Sequence, residues 1–147
     1  MCIMDSSGTM ETTVTSQEMT HPLYDKWVLW AHLPHDTDWS LKSYKKIMTV
    51  TSIEEMVALY AVIPEKLVKN CMLFLMRDGI KPMWEDPKNS KGGCFSFKVT
   101  NKVVPQVWKK LSYITVGETL TNDTRLLKLI NGITISPKKS FCIVKIW

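Results

Sequence analysis

The chain has 147 residues, 45% of them hydrophobic, and a formal net charge of +5. That length makes one domain, able to bury a core without disulfide or metal staples, and no apolar run approaches a membrane span. The first twenty residues hold eight Ser/Thr, three acids and no Lys or Arg; this −3 tail leaves +8 on residues 21–147, which favours phosphate-bearing partners.

Residues 1–20 read as a disordered Ser/Thr-rich tail, with neither a signal-peptide nor a transit-peptide pattern, ahead of one domain over residues 21–147. Cys2, Cys71, Cys94 and Cys142 are far apart and unpaired in spacing, so they suggest reduced thiols of the cytoplasm or nucleus rather than a zinc site or a disulfide framework. Order begins at His21-Pro22-Leu23, and Leu23–Ala31 reads as a strand containing Trp27 and Trp30. His32 to Ser40 reads as a polar loop carrying Trp39. Its HxxH, His32 and His35, is broken by Pro34 and has no second ligand cluster, so a solvated loop is expected there and no metal site. Tyr44–Val50 reads as a second strand.

Ser52-Ile53-Glu54-Glu55 is a capping box, opening a short helix that stops before Pro64. Its inward stripe is Met56, Leu59, Tyr60 and Ile63, with Ile53 and Val57 off the edge. Cys71–Arg77 is an apolar run of strand length. The loop GIKPMWEDPKNSKGG, Gly79 to Gly93, follows it and is longer than most hairpin connections. Cys94–Thr100 alternates, with Phe95, Phe97 and Val99 on one side, and is expected to pair with the strand before the loop. A second helix runs from Pro105 to Gly117. Val104, Val107, Trp108, Leu111 and Ile114 or Thr115 form its buried stripe; Gln106, Lys109, Lys110 and Tyr113 form its outer face. Leu126–Ile130 fits helix or strand, and Ile133–Ile135 and Ile143–Trp147 read as a strand pair across Pro137-Lys138-Lys139-Ser140. The whole is an α+β fold, a mainly antiparallel sheet with helices on one face.

Trp27, Trp30 and Trp108 sit in apolar patterns and read as core. Trp39 and Trp84 sit in polar loops, where two indoles can sandwich a flat ring; stacking contributes about 1–3 kcal/mol per contact with a neutral base. A cationic ring adds a cation–π gain of about 0.5–2 kcal/mol. Glu85, next to Trp84, can accept two donors from a guanine edge, while Asp86 reads as a turn or cap residue. Lys88, Lys91 or Lys138-Lys139 would receive phosphates. No nucleophile–base pair, P-loop or metal set accompanies these residues, so nothing asks for catalysis or a cofactor.

HPLYDKWVLW, the loop Trp39, SIEEMVALY, DGIKPMWEDPKNSKGG and the W-x8-GE of Trp108 to Glu118 stand in one order. Together they closely resemble the messenger-RNA cap-binding translation initiation factor 4E family over residues 21–147. The resemblance implies a cupped antiparallel sheet with helices on its convex back and a 7-methylguanosine site in its concave face. It implies that Trp39 and Trp84 sandwich the methylated base, that Glu85 takes the guanine edge, and that Trp147 touches the N7 methyl. For the phosphates it points to Lys138, with Lys139 or Lys145 in place of the following family lysine; the family arginine after the glycine pair is Cys94, so the clamp is weakened.

On the convex face the resemblance implies a surface for scaffold and repressor helices bearing a YxxxxLΦ motif (Φ apolar). His21, Pro22 and Ile53 match it, whereas the family tryptophan is Val57. Lys109, Lys110 and Tyr113 replace two leucines and an acid. The resemblance further implies a helix, strands and a cap-covering loop after the position of Trp147, so a shortened member lacking them is expected. The expected function is binding of capped mRNA, without membrane or DNA partners, and with weak or absent binding of the usual initiation scaffold, as a competitor or regulator of initiation. The other readings are an interaction protein with vestigial cap binding, or an incompletely folded fragment.

Overall fold

In the computed structural model, which describes residues 19–147, period-two alternation sorts side chains onto the two faces of one curved sheet. Strand β1 (Pro22–His32) sends Trp27, Leu29 and Ala31 into the main core. Strands β2 (Tyr44–Ser52), β3 (Met72–Arg77), β4 (Phe95–Thr100), β5 (Gly132–Pro137) and β6 (Phe141–Ile146) add Val50, Leu73, Leu75, Val99, Ile133, Ile135, Cys142 and Val144. The helices are α1 (Ile53–Val62), α2 (Glu65–Asn70), α3 (Pro87–Ser90), α4 (Val104–Val116) and α5 (Thr124–Leu127). Of these, α1, α2 and α4 cover the core face through Met56, Leu59, Val68, Val104 and Trp108. Trp27 and Trp108 are fully buried, and a ring of this size removes about 150–250 Å² from water. Tyr60 Oη donates to Ser112 Oγ at 2.6 Å, tying α1 to α4. The opposite face is left uncovered by α1, α2 and α4 and holds a small cluster of Phe74, Met76 and Ile80 with Trp30, Tyr44 and Met72.

Strand order is β2-β1-β3-β5-β6-β4, antiparallel throughout. The expected pairing of β3 with β4 does not form. The β5–β6 hairpin lies between them, so the Gly79–Gly93 loop spans three interstrand spacings, about 14 Å. That distance accounts for its length. Gly132 lets β5 press against β3: a Cβ there would lie 2.9 Å from Met76 Cα and closer still to the Leu75 carbonyl oxygen.

Other sequence expectations need adjustment. The disordered tail falls on residues 1–18, with Cys2, which lie outside the described residues; Met19 and Thr20 are exposed. His32 belongs to the end of β1, not to a solvated loop, and is buried at 2% exposure because its ladder partners Tyr44 and Met72 flank it. Trp30 is half-buried on the open face rather than in the main core. Phe95 shares its face with Phe97 and Val99, but it lies at the end of an edge strand and stays 70% exposed. Tyr113 is half-buried rather than fully outward, its ring edge-on to Tyr60. The ambiguous Leu126–Ile130 stretch begins inside the short helix α5.

The Ser52 cap forms, Oγ accepting from Glu55 N at 3.2 Å. The Glu55 carboxylate, however, takes the Thr51 N–H at 2.6 Å, one residue before the cap. Helix α4 ends at Gly117 as its spacing predicts, yet Glu118 takes the left-handed conformation, φ 56°.

Candidate functional site

The Gly79–Gly93 loop is built to thrust two side chains outward. Gly79 turns the chain at φ 88°, and buried Ile80 anchors it in the open-face cluster. Asp86 N–H then donates to the Met83 carbonyl at 3.2 Å. Trp84 and Glu85 are thereby the central pair of a four-residue turn, and both are exposed. Asp86 caps α3 as expected, one carboxylate oxygen accepting from Lys88 N at 2.9 Å and the other from Lys81 N at 2.8 Å. Asn89 is 3% exposed and fastens the loop from inside. Its Nδ2 donates to the carbonyls of Lys81 and Met83 at 3.1 and 2.8 Å, and its Oδ1 accepts from Asn131 Nδ2 at 3.1 Å.

Trp39 is held by its neighbours on either side. Asp38 Oδ1 accepts from Ser40 N at 2.8 Å and Oδ2 from Ser40 Oγ at 3.0 Å, so the carboxylate bridges across Trp39; these bonds hold its pKa below the ordinary carboxylate value. Beneath, the His32 ring lies parallel to the Trp39 indole, centroids 3.9 Å apart and planes 5° from coincidence. Trp39 remains 52% exposed and Trp84 55%.

Tyr44 links the two indoles, and sequence reasoning missed it. Its ring is 6.5 Å from that of Trp39, and it lines a cavity of about 110 Å³ with Phe74, Met76, Trp84, Thr134 and Trp147. Burial raises the Tyr44 pKa, and the negative charge of Glu85 raises it further, which places that carboxylate within electrostatic reach. Trp147 closes the far side: its ring is 5.7 Å from Trp84, and its Nε1–H donates to Thr134 Oγ1 at 3.1 Å. Trp39, Trp84, Glu85 and Trp147 thus gather around Tyr44 on the open face. Alternation could not have revealed Tyr44: six residues from Val50, it would fall on the same face, and only the register shift between Met48 and Lys46 turns it to the open one.

The lysines are less concentrated. Lys138 and Lys139 occupy the exposed β5–β6 turn, and Lys91 is the exposed C-cap of α3; none lines the cavity. Lys145 stands closest to the aromatic group, with Nζ 5.3 Å from the Trp147 ring centroid.

A larger cavity, about 620 Å³, lies on the helix side and brings together Pro22, Ile53, Val57, Tyr113 and Gly117. His21 borders α1 there, with Nδ1 2.6 Å from Glu54 Oε1 and its backbone N–H on the same carboxylate at 3.0 Å. Lys109 lies on the Tyr60, Ile63 and Pro105 side of α4, its Nζ 5.9 Å from the Tyr113 ring, and Lys110 is exposed outside the cavity. The cavity on this face is a mostly apolar trough, whereas the smaller one is lined by the aromatic rings of Tyr44, Phe74, Trp84 and Trp147. Among the described residues no cluster of His, Cys, Asp or Glu could hold a metal, and no helix is long and apolar enough to cross a membrane.

The fold and site define an α+β protein with a helix-covered back and an aromatic, acid-bearing open face on one curved antiparallel sheet. The family model described as Eukaryotic initiation factor 4E matches residues 22–147, and the chain belongs to that family. It is 32% identical over 137 residues to eukaryotic translation initiation factor 4E of Eremothecium gossypii, an alignment covering 88% of this chain and 63% of that protein. It is likewise 32% identical over 128 residues to a eukaryotic translation initiation factor 4E homolog of Acanthamoeba polyphaga mimivirus, covering 78% and 47%. The chain therefore spans about half to two thirds of the length of these relatives. Among solved structures, a complex of C. elegans eIF4E-3 with the 4E-binding protein Mextli and cap analog superimposes with a TM-score of 0.77 at 26% identity, covering 87% of this chain and 73% of that one.

Proposed function

We propose that the chain binds the 7-methylguanosine cap of messenger RNA and acts in the cytoplasm as a regulator of translation initiation. The base stacks between Trp39 and Trp84, Glu85 accepts from the guanine edge, and Trp147 faces the N7 methyl. Lys138, Lys139 and Lys91 approach the phosphates. The observation that carries this reading is the convergence of Trp39, Trp84, Glu85 and Trp147 around Tyr44 on the open face. The match to a C. elegans family member solved with a cap analog supports it. The chemistry is consistent: a cation between two indoles gains about 0.5–2 kcal/mol beyond ordinary stacking, and adenine offers no donors matched to Glu85.

The same reading includes weak binding of the usual scaffold helix. The trough around Ile53 and Val57 has a 52%-exposed valine where the family resemblance calls for tryptophan, and an aromatic interface anchor is worth about 2–4 kcal/mol. Retention of the full chain on a 7-methyl-GTP resin tests the cap reading. Elution by free 7-methyl-GTP but not by GTP is expected; elution by both alike, or by salt alone, would leave only a basic surface.

A further inference from the structure

The floor beneath Trp39 is a histidine, and nothing in the base-stacking reading uses it. His32 ends β1 on the open face, 2% exposed, with its ring flat against the indole at 3.9 Å and 5°. Its Nε2 lies 2.8 Å from the Asp38 carbonyl oxygen. A carbonyl only accepts, so Nε2 carries the proton, and the ring faces the indole with a fixed tautomer. One side chain thus supports the plane of Trp39 and holds the backbone immediately before it.

We propose that His32 is the positioning residue for Trp39 and that its protonation loosens the grip of Trp39 on a cationic base. This rests on the cap-binding reading and deepens it. A base on the outer face of Trp39 makes His32 the third layer of one stack. With a neutral imidazole below, the indole offers its full π density to a cation above. An imidazolium below draws on the same ring and sets a like charge one indole away from the methylated base. A neutral base carries no such penalty, so acidification costs methyl selectivity as well as affinity.

The groups around the ring admit such a switch. Tyr44 on β2 meets it edge-on at 5.2 Å, and Met72 is its uncharged partner on β3. In the loop, the Asp38 carboxylate is engaged by Ser40 and feels both His32 and Lys45, and Asp36 accepts from Asp38 N at 2.9 Å. His35 is exposed in the same loop, and Glu85 acts on Tyr44 from the other side.

The test compares the full-length wild-type protein, His32→Phe and His32→Ala in tryptophan-quenching titrations with 7-methyl-GTP between pH 5.5 and 7.5. Phenylalanine keeps a flat support and cannot titrate; alanine removes the support. Because the ligand's own ionisations are common to all three proteins, the profiles are read relative to one another. Relative to His32→Phe, the wild type should lose roughly three- to thirty-fold in affinity on acidification, the range of one cation–π contact. His32→Ala should be weaker than both across the pH range. Parallel wild-type and His32→Phe profiles, or wild-type affinity in His32→Ala, would overturn the proposal. A wild-type protein that fails to prefer 7-methyl-GTP over GTP at pH 7.5 would instead sink the cap reading. The Trp39 indole N–H resonance of the ligand-free protein then still decides the stack. It should move with pH in the wild type and stay fixed in His32→Phe; equal behaviour in both counts against the switch.

Discussion

Arg77 on β3 and Glu118 after α4 form a two-pronged ion pair, with Nη2 2.7 Å from Oε2 and Nη1 bonded to Oε1. The same guanidinium donates to the carbonyls of Ile130 and Leu127 at 2.7 and 3.0 Å, reaches Asp25 at 3.2 Å, and lies 4.4 Å over the Trp27 ring. One side chain thereby ties β1, β3, the end of α4 and the approach to β5. Burial alone would lower its pKa, but the Glu118 and Asp25 carboxylates more than offset that and hold it above the ordinary arginine value. Glu118 occupies the left-handed region to make this pair.

Removing the carboxylate should therefore cost stability. Glu118→Ala should destabilise the protein by roughly 2–4 kcal/mol, because it strands a largely buried guanidinium. Glu118→Gly should lose about 1 kcal/mol less, since glycine adopts positive φ without strain. Urea unfolding midpoints check both; equal stabilities for wild type and Glu118→Ala would contradict the account.

Asn89 makes a separate prediction about the loop that carries Trp84 and Glu85. Replacing it with alanine removes its bonds to the Lys81 and Met83 carbonyls and to the Asn131 amide. Met83 keeps the Asp86 N–H and Asn131 the Lys88 carbonyl, whereas the Lys81 carbonyl loses its partner, and an unsatisfied buried group costs about 1–3 kcal/mol. Amide hydrogen exchange should accelerate across residues 80–91 while the protection of β1 and β3 stays unchanged. Acceleration spread evenly over the whole sheet would contradict a local role.

The His21–Glu54 contact sets a pH dependence. Hydrogen bonds from the His21 ring and backbone N–H lower the Glu54 carboxyl from 4.5 to about 2. A depressed folded-state pKa stabilises fully above the unfolded value of 4.5, and this contribution is lost as pH falls through about 2. Carboxyl NMR titration should find Glu54 titrating near 2, and higher in His21→Ala, which loses the ring bond but keeps the backbone N–H. An ordinary midpoint in the wild type would remove this clip from the account.

On the convex side, Val57→Trp should restore an aromatic anchor at the edge of the trough. Anisotropy of a labelled peptide bearing the YxxxxLΦ motif should report binding at least about ten-fold tighter than to the wild type. Tight binding already present in the wild type would contradict the expected weakness.

Much of this architecture was legible because burial imposes a period. The apolar run of Trp27, Val28, Leu29 and Trp30 and the i, i+3, i+4, i+7 stripe of Met56, Leu59, Tyr60 and Ile63 mark a strand and a helix that the structure contains. Strand order was not legible, since nothing local records that β5 and β6 lie between β3 and β4. Trp84 and Glu85 stood out as an indole and an acid in a polar loop, and the turn between Met83 and Asp86 exposes both. Tyr44 reads only as the start of a strand and His32 only as half of an HxxH in a polar loop; they meet Trp39 because β1 and β2 pair His32 with Tyr44.

The most direct measurement is quenching of intrinsic tryptophan fluorescence by 7-methyl-GTP, with GTP as control and Trp84→Ala alongside. The account predicts strong quenching, clear preference for the methylated nucleotide, and loss of both in the variant, because Trp84 supplies one of the two proposed stacking faces. Equal, salt-sensitive responses to the two nucleotides, unchanged by Trp84→Ala, would contradict it and leave a basic surface without a base site.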